Sequence, residues 1–310
     1  MPIKINPKKK LKCCVTAQWS CLLFLMDSYQ LYGEFIMPTP RLSVSTWSLH
    51  RQLGKPGFTG PAHDMQIPTE THNKGPISLL DLSMRIAEFG INTVEICHFH
   101  LPSVEKSYLS ELRAALQGAD VELFSLLIDD GDITHPSNAE RDIAWIEKWI
   151  DIAGELGAQC ARVIGGKTTP SAETLAQSQN ALSRLTERAE IAGIRLMTEN
   201  WFSIFSTPEN VNTILDQLDG KVGLCLDFGN WRGDTKYTDL AAIAPKAESC
   251  HTKAHFDAPR EMDKEDYVQC LELTQKAGFA GPHTLIYDGP GDDEWDGLAI
   301  EREVVNPYLN

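Results

Sequence analysis

The chain has 310 residues, of which 42% are hydrophobic and 23% charged, a composition that is ordinary for a folded globular protein. At this length it can form two small domains or one large α/β barrel. The formal net charge of −15 argues against a general affinity for nucleic acid or for an anionic membrane, because both require a basic surface. A net negative charge still allows a local basic pocket. No apolar stretch approaches the roughly 20 residues that span a bilayer.

The eight cysteines form no CxxC pair, and several lie within apolar runs of strand length. In such runs cysteine behaves as a small hydrophobic residue. We therefore expect reduced thiols and a cytoplasmic protein.

Residues 1–40 differ from the rest of the chain. Their basic start, KKKLK, and the short apolar run after it resemble a secretory signal. Gln18 and Ser20 interrupt the run, and no small-residue cleavage site follows it cleanly. One interpretation is a signal, and the other is a leader outside the fold, with translation beginning at Met37. We predict that residues 1–40 are not part of the fold and that residues 41–310 form a single domain.

From residue 41 onwards, apolar runs of strand length alternate with segments of helical periodicity. Eight strands are predicted, and their ends lie near Trp47, Glu95, Asp129, Gly165, Glu199, Asp227, His251 and Tyr287. The clearest helices are predicted at residues 77–89, 108–116, 140–156, 172–192, 263–277 and 298–308. A stretch rich in Gly, Pro, His and Thr, residues 50–76, is typical of a functional or disordered loop.

Eight strand–helix units are typical of a (β/α)8 TIM barrel of the α/β class, whose active site lies at the carboxyl ends of the strands. An open, doubly wound sheet is the alternative. That fold would carry a phosphate fingerprint, yet the chain has no GxGxxG after the first strand and no GxxxxGK[ST]. We therefore predict the barrel.

Three consecutive predicted strands, the fifth to the seventh, end in residues that can bind a metal. They read TENW, CLDFGNW and HTK, and they supply Glu199, Asp227 and His251. Parallel strands present their carboxyl ends on one face, so we expect these side chains to converge. Two carboxylates and an imidazole suit one divalent cation such as Mn, Mg, Co or Zn. The alternative is that each residue is a solvated strand end or forms a salt bridge across the rim.

These three motifs resemble the sugar phosphate isomerase/epimerase branch of the xylose isomerase-like barrels, a group that also includes the type 2 apurinic endonucleases. The resemblance covers the chain from about Leu42 to the C-terminus. It implies a metal held by Glu, Asp, His and Glu on strands five to eight. The first three of these ligands fall on Glu199, Asp227 and His251.

At the fourth ligand position the chain departs from the family pattern. The last strand reads TLIYDG and has Ile286, which can neither bind a cation nor accept a proton. Asp288 lies two residues further on, and it either substitutes for the missing acid or only caps the strand. The departure argues against epimerisation by two glutamate bases, which the resemblance would otherwise imply.

Other polar and aromatic residues at predicted strand ends are candidate substrate contacts. They are Trp47, Glu95, His98, Lys167, Trp201, Asn230, His255 and Asp288. Each has a structural alternative: Glu95 could pair with a neighbouring strand, the histidines and Lys167 could be solvated, and the tryptophans could be core residues. Lys253 and His255 alternate with His251, so we expect them to share its face and Lys253 to be a candidate general acid.

Together these features predict a cytoplasmic enzyme that uses one divalent metal to act on a small sugar, sugar phosphate or keto-polyol through an enediolate. Glu199 is predicted to bind the metal and to act as the base, with Lys253 as a second catalytic group. Isomerisation or epimerisation is the first interpretation. A lyase or dehydratase acting on a keto-sugar or inositol derivative is the alternative, because only one carboxylate base is assured.

Two interpretations come from other classes of protein. A DNA-repair endonuclease would need more histidine and acidic ligands and a less acidic chain. A barrel that has lost catalysis would only bind a ligand, and Ile286 is compatible with that. We expect a carbohydrate substrate and no nucleic acid or membrane partner. A homo-oligomer is compatible with the sequence.

Overall fold

The computed structural model describes residues 39–54, 60–65, 75–291 and 293–309. Within these ranges eight parallel strands close into a barrel, in which consecutive strands are neighbours and the last pairs with the first. The strands are β1 Arg41–Ser45, β2 Thr93–Cys97, β3 Glu122–Leu127, β4 Cys160–Val163, β5 Arg195–Glu199, β6 Gly223–Asp227, β7 Ala247–Lys253 and β8 Pro282–Ile286. The predicted (β/α)8 TIM barrel is therefore confirmed.

In the described part of the chain a helix separates each strand from the next, and one more follows β8. The helices are α1 Leu79–Glu88, α2 Lys106–Gly118, α3 Ala139–Leu156, α4 Ala172–Ala192, α5 Pro208–Gln217, α6 Lys236–Ile243, α7 Lys264–Lys276 and α8 Glu294–Val305. Helix α4 shows how the sequence sets their limits. Ser171 and Thr174 form a capping box at its start, and Gly193 ends it in the left-handed region with φ +73°.

The structure differs from the sequence-based prediction mainly at element ends. Strand β8 begins at Pro282, two residues before the predicted start. Helix α8 begins at Glu294 rather than at residue 298, because the Asp293 side chain accepts a hydrogen bond from the Trp295 N–H and caps the helix. A short hairpin of Phe256–Ala258 and Glu261–Met262 follows β7 and was not predicted.

Parts of two predicted regions fall outside the described residues. Of the predicted leader, residues 1–40, the structure describes only residues 39 and 40. The prediction that the leader is not part of the fold therefore stays a prediction. Within the predicted loop of residues 50–76, the structure has a short helix, His50–Leu53, and a 3-10 turn, Pro61–His63. Residues 55–59 and 66–74 of that loop lie outside the described residues.

The interior of the barrel is filled by side chains below the carboxyl ends of the strands. Phe124, Cys160, Met197 and Cys225 form one buried cluster there. The helices cover the outside with apolar faces such as that of α3, where Ile143, Ile146 and Ile150 are buried. Because close packing fixes the strands on both faces, the side chains at their carboxyl ends are held on a rigid frame.

The cysteines of the described strands and helices are buried, as their apolar sequence surroundings predicted. Within the described ranges the following are buried and form no disulfide: Cys97, Cys160, Cys225, Cys250 and Cys270. In the same ranges no helix combines the length and the hydropathy needed to cross a bilayer.

We expect Gly165→Ala to destabilise the barrel. A Cβ atom at this position, just after β4, would lie 1.9 Å from the ring of Phe205, which is fully buried. Such overpacking should lower the free energy of unfolding by about 1–3 kcal/mol, measured by urea denaturation. The matched control is Gly118→Ala at the end of α2, where a Cβ atom meets nothing within 4 Å and stability should stay equal or rise by up to about 1 kcal/mol. Equal effects of the two substitutions would contradict the tight packing at Gly165.

Candidate active site

A cavity opens at the carboxyl end of the barrel, where the sequence predicted the active site. Among its lining residues are seven that were predicted as site residues: Trp47, Glu199, Trp201, Asp227, Asn230, His251 and Lys253. Ile286 also lines it, so the position that usually carries the fourth ligand presents an aliphatic wall. The remaining lining residues were not singled out from the sequence: Ser45, Leu127, Asp129 and Arg162.

His251 lies at the centre of the site. Its Nδ1 is 3.7 Å from Glu199 Oε2 and 3.6 Å from Asp227 Oδ2, so one ring nitrogen faces both carboxylates. Its Nε2 is 2.7 Å from Oε2 of Glu95, which reaches across the barrel from β2. Burial by itself would lower the pKa of His251, but Cys225 and the carboxylates of Glu95, Glu199 and Asp227 raise it well above its usual value.

Glu199 is held in its ionised form. Arg162 Nε lies 3.0 Å from Glu199 Oε2, and the Asn230 side-chain amide donates to Glu199 Oε1 at 2.7 Å. Burial would raise the pKa of Glu199, yet the charges of Arg162 and His251 outweigh it and lower that pKa to about 2. Glu199 is therefore an anion at neutral pH.

Asp227 is oriented by the backbone that follows it. Its Oδ1 accepts hydrogen bonds from the N–H groups of Gly229, at 2.6 Å, and Asn230, at 2.8 Å. The ends of β5 and β6 are tied together because the Asp227 N–H donates to Asn200 Oδ1 and the Asn200 amide donates to the Asp227 carbonyl. These contacts leave Oδ2 to face His251.

Arg162, on β4, is the most important site residue that was missed. Its side chain is 4% exposed, and its Nη2 donates to Asp129 Oδ1 at 2.6 Å while Nε faces Glu199. A signal was present in the sequence, because Arg162 interrupts the apolar run CARVI in the same way that Glu95 interrupts VEIC. Polar residues inside buried strands of a barrel point to its interior and so to its site.

The donor atoms of the site fit a divalent cation. Glu199 Oε2 is buried and lies 3.0 Å from Arg162 Nε without forming a hydrogen bond to it, and His251 presents Nδ1 while Glu95 holds its other nitrogen. A carboxylate on the second ring nitrogen is the usual support of a metal-binding histidine. Among the described residues at the cavity, four acids (Glu95, Asp129, Glu199 and Asp227) face three cationic groups (Arg162, His251 and Lys253). This excess of negative charge has the same implication.

Cys225 is an additional candidate ligand. In the described part of the chain, ligand atoms of Glu199, Cys225 and His251 all lie within 4.8 Å of one another, and Asp227 is not a member of this group. Cys225 is paired with Glu199 in the sheet, one layer below the cavity lining. Burial raises the pKa of its thiol, which disfavours the thiolate that a metal would need. We therefore regard the two acids and His251 as the better donor set.

Two predicted substrate contacts near β2 do not line the cavity. Glu95 is buried beneath His251 and serves as its hydrogen-bond partner. His98 is buried against the rings of Trp145 and Trp149, and its Nδ1 accepts the N–H of Asp129.

Three further candidates lie at the rim. Lys167 Nζ is 2.6 Å from Asp130 Oδ1. His255 follows the end of β7 and lines a neighbouring pocket instead, because the strand alternation that was expected to place it beside His251 stops at Lys253. Asp288 is 52% exposed and does not line the cavity.

Lys253 borders both the cavity and the neighbouring pocket. Its Nζ donates to Asp288 Oδ2 at 2.8 Å. Burial would lower the pKa of Lys253, but the charges of Asp227 and Asp288 raise it, so the ammonium stays protonated at neutral pH. The cavity thus offers an ionised carboxylate on one side and a proton donor on another.

We expect Arg162→Met to destabilise the protein by about 3–5 kcal/mol at neutral pH, because it leaves two buried carboxylates without their cation. The pKa of Glu199 is lowered to about 2 in the folded protein, so the stabilisation from its charge is present above the usual glutamate range and is lost as the pH falls toward about 2. The stability difference between the two proteins, measured by urea denaturation, should therefore shrink as the pH is lowered. A difference that does not vary with pH would contradict this account.

The chain resembles known proteins in sequence and in fold. A sequence profile described as xylose isomerase-like TIM barrel matches residues 84–301. No curated protein matches the chain by sequence.

Several solved structures share the fold. The xylose isomerase-like TIM barrel protein from Mycobacterium smegmatis in complex with magnesium has 16% identity and a TM-score of 0.62, covering 87% of this chain and 96% of that chain. D-allulose 3-epimerase from Methylomonas sp. in complex with D-allulose has 16% identity and a TM-score of 0.62, over 87% of this chain and 98% of that one. The probable 3-DHS dehydratase AsbF from Bacillus anthracis has 16% identity and a TM-score of 0.62, over 86% and 98%. At such identities these likenesses establish the fold alone.

Proposed function

Because the chain belongs to the xylose isomerase-like TIM barrel family, we propose that it is a divalent-metal-dependent isomerase or epimerase of a small sugar, sugar phosphate or keto-polyol. One observation carries the proposal. His251, fixed at Nε2 by Glu95, turns Nδ1 toward the carboxylates of Glu199 and Asp227 at the barrel mouth. The names of the structural relatives agree with this class, since one is an epimerase that binds a sugar and another binds magnesium.

Glu199, Asp227 and His251 would hold the ion, with Glu95 as the orienting partner of His251. When bound, a divalent cation supplies Lewis-acid stabilisation of negative charge on a substrate oxygen. Mn, Mg, Co and Zn are all compatible with two carboxylates and one imidazole. The identity of the metal is left open in the proposal.

Glu199 is the proposed base. Arg162 and Asn230 keep it ionised and fix its direction, so it can accept a proton from a carbon next to the substrate carbonyl. Lys253 is the proposed acid, because its side chain carries an ammonium at neutral pH and lines the same cavity. Trp47, Trp201 and Asn230 line the cavity and are proposed as substrate contacts.

The apolar side chain of Ile286 in the cavity lining favours some of the proposed reaction types over others. Removing a proton from one face of a carbon and returning one to the other face requires two groups on opposite sides. A single carboxylate favours proton transfer between neighbouring carbons on one face, which is an aldose–ketose isomerisation.

The same observation favours one alternative, a lyase or dehydratase acting on a keto-sugar or inositol derivative. There Glu199 would remove the proton and Lys253 would protonate the leaving hydroxyl, so no second base is needed. One structural relative is named as a probable dehydratase. A ligand-binding barrel without catalysis is the outcome if neither reaction is found.

Metal binding is tested first. The protein is first stripped of metal with a chelator. Adding Mn, Mg, Co or Zn at one hundred times Kd should then raise its free energy of unfolding by about 2.7 kcal/mol. Asp227→Asn should abolish most of this gain, whereas Asp219→Asn, at an exposed turn, should leave it intact. A metal-dependent gain that is equal in both variants would remove Asp227 from the site.

The role of Glu199 is tested by Glu199→Gln. On any sugar or keto-polyol that the wild type converts, we expect a loss of kcat of about 10²–10⁴-fold, because general base catalysis contributes that much. Turnover in D2O followed by NMR separates the two reactions. Isomerisation leaves a product of unchanged formula with deuterium next to the carbonyl, and dehydration gives a product that has lost water. Unchanged kcat in the variant would exclude Glu199 as the base.

A further inference from the structure

Cys225 lies one layer below the proposed metal site, on the same strand as Asp227. Side chains two residues apart on a strand point to the same face, so both residues of β6 point into the barrel. Asp227 lines the cavity, whereas Cys225 is 1% exposed and belongs to the buried interior cluster. The carboxylate is therefore the upper donor of β6, and the sulfur is the lower one.

The register of the sheet places Glu199 within reach of both donors. Glu199 on β5 pairs with Cys225 on β6, and Asp227 pairs with His251 on β7. In the upper layer, His251 Nδ1 lies 3.7 Å from Glu199 Oε2 and 3.6 Å from Asp227 Oδ2. In the lower layer, ligand atoms of Glu199, Cys225 and His251 lie within 4.8 Å of one another. One carboxylate and one imidazole are thus shared by two candidate third ligands.

These two candidate third ligands differ in chemical character. A carboxylate oxygen is a hard donor that suits Mg²⁺ and Mn²⁺, and a thiolate sulfur is a soft donor that suits thiophilic cations. Their surroundings differ in the same sense. Asp227 is held by backbone N–H groups at the cavity, whereas Cys225 packs in the interior against Cys160 and Met197.

The thiol is not an isolated cysteine, because both of its neighbours in this group have donor capacity to spare. Glu199 Oε2 is buried and forms no hydrogen bond to any described residue. Glu95 holds His251 at Nε2, which leaves Nδ1 as the donor atom of the ring. A buried carboxylate oxygen and an imidazole nitrogen of this kind indicate a cation as the missing partner.

We propose that Cys225 is an alternative ligand of the metal site, so that a thiophilic cation binds through Glu199, Cys225 and His251. The inference rests on the proposed metal site, in which a hard cation takes Asp227 in place of Cys225. A cation that coordinates a buried thiol displaces its proton, which passes to solvent. A sulfur–metal bond replaces the S–H bond, and no atom is oxidised or reduced.

Binding in the lower layer has a consequence for the proposed reaction. Cys225 does not line the cavity, so an ion bonded to its sulfur lies below the lining and away from a substrate in the cavity. The same ion occupies the carboxylate of Glu199, which is the proposed base. We therefore expect thiophilic cations to inhibit the site that hard cations activate.

The test compares Cd²⁺, a thiophilic cation, with Mn²⁺, a hard one, on protein stripped with a chelator. All proteins carry serine in place of the predicted leader's cysteines, because thiols there would also bind cadmium; the changes are Cys13→Ser, Cys14→Ser and Cys21→Ser. With cadmium bound, we expect a thiolate-to-metal charge-transfer band in the ultraviolet and a cadmium NMR signal shifted downfield by sulfur. Affinities for both cations are measured by isothermal titration calorimetry.

Two substitutions should affect the two cations in opposite ways. Cys225→Ala should weaken cadmium binding by at least about tenfold, remove the charge-transfer band and change manganese binding by less than about twofold. Asp227→Asn should weaken manganese binding by at least about tenfold and retain the charge-transfer band with cadmium. The matched control is Cys270→Ala, at a buried position of α7 outside the group, which should change neither affinity nor the band.

A cadmium complex without thiolate signals would overturn the inference, and so would a Cys225→Ala variant that keeps both the band and the cadmium affinity. If Cys225→Ala does not fold, Cys225→Ser takes its place, since its hydroxyl is a hard donor of similar size and should give no such band. Failure of the proposed function is distinguishable. Protein that binds cadmium through sulfur but gains no stability from Mn, Mg, Co or Zn would refute only the proposed function.

Discussion

The buried ion pair between Arg162 and Glu199 is the interaction on which the rest of the site depends. Two acids and an imidazole cannot share a dry barrel mouth unless positive charge compensates them, because burial alone would protonate the carboxylates. Arg162 supplies that charge from β4 and is itself held by Asp129. Glu199 is therefore anionic at neutral pH. The proposed roles of Glu199 as a metal ligand and as a proton acceptor depend on this pairing.

A second constraint crosses the barrel. Glu95 on β2 holds the Nε2 of His251 on β7, so the ring turns its other nitrogen toward β5 and β6. The same barrel closure that packs the interior thus decides which histidine atom faces the cavity. Close packing below the site, by Phe124, Cys160, Met197 and Cys225, makes this orientation rigid. Rigidity of this kind lowers the cost of reorganisation when charge develops in the cavity.

The departure at Ile286 has a chemical consequence beyond the loss of one ligand. In the proposed mechanism Glu199 is the one carboxylate base, and the cavity lining also includes the aliphatic side chain of Ile286 and Lys253, whose ammonium is bound to Asp288. A site with one base and one acid suits reactions that begin and end on one face of the substrate, or that expel a hydroxyl group. On the β5 side, Trp201 adds an aromatic side chain to the cavity lining.

The sequence by itself determined the eight-unit barrel and the strand ends that carry Glu199, Asp227 and His251, because both are local periodic patterns that repeat along the chain. The sequence also showed that Ile286 stands where the family resemblance implies a glutamate, because the last-strand motif TLIYDG can be compared with the family pattern residue by residue. Only the tertiary structure decided that Glu95 supports His251 from beneath and that Arg162 neutralises Glu199. These pairs lie 156 and 37 residues apart in the chain, and no local pattern encodes which charges meet across a closed barrel. The place of His255 was decided in the same way, because the point at which β7 ends depends on its pairing with β8 and not on its own alternation.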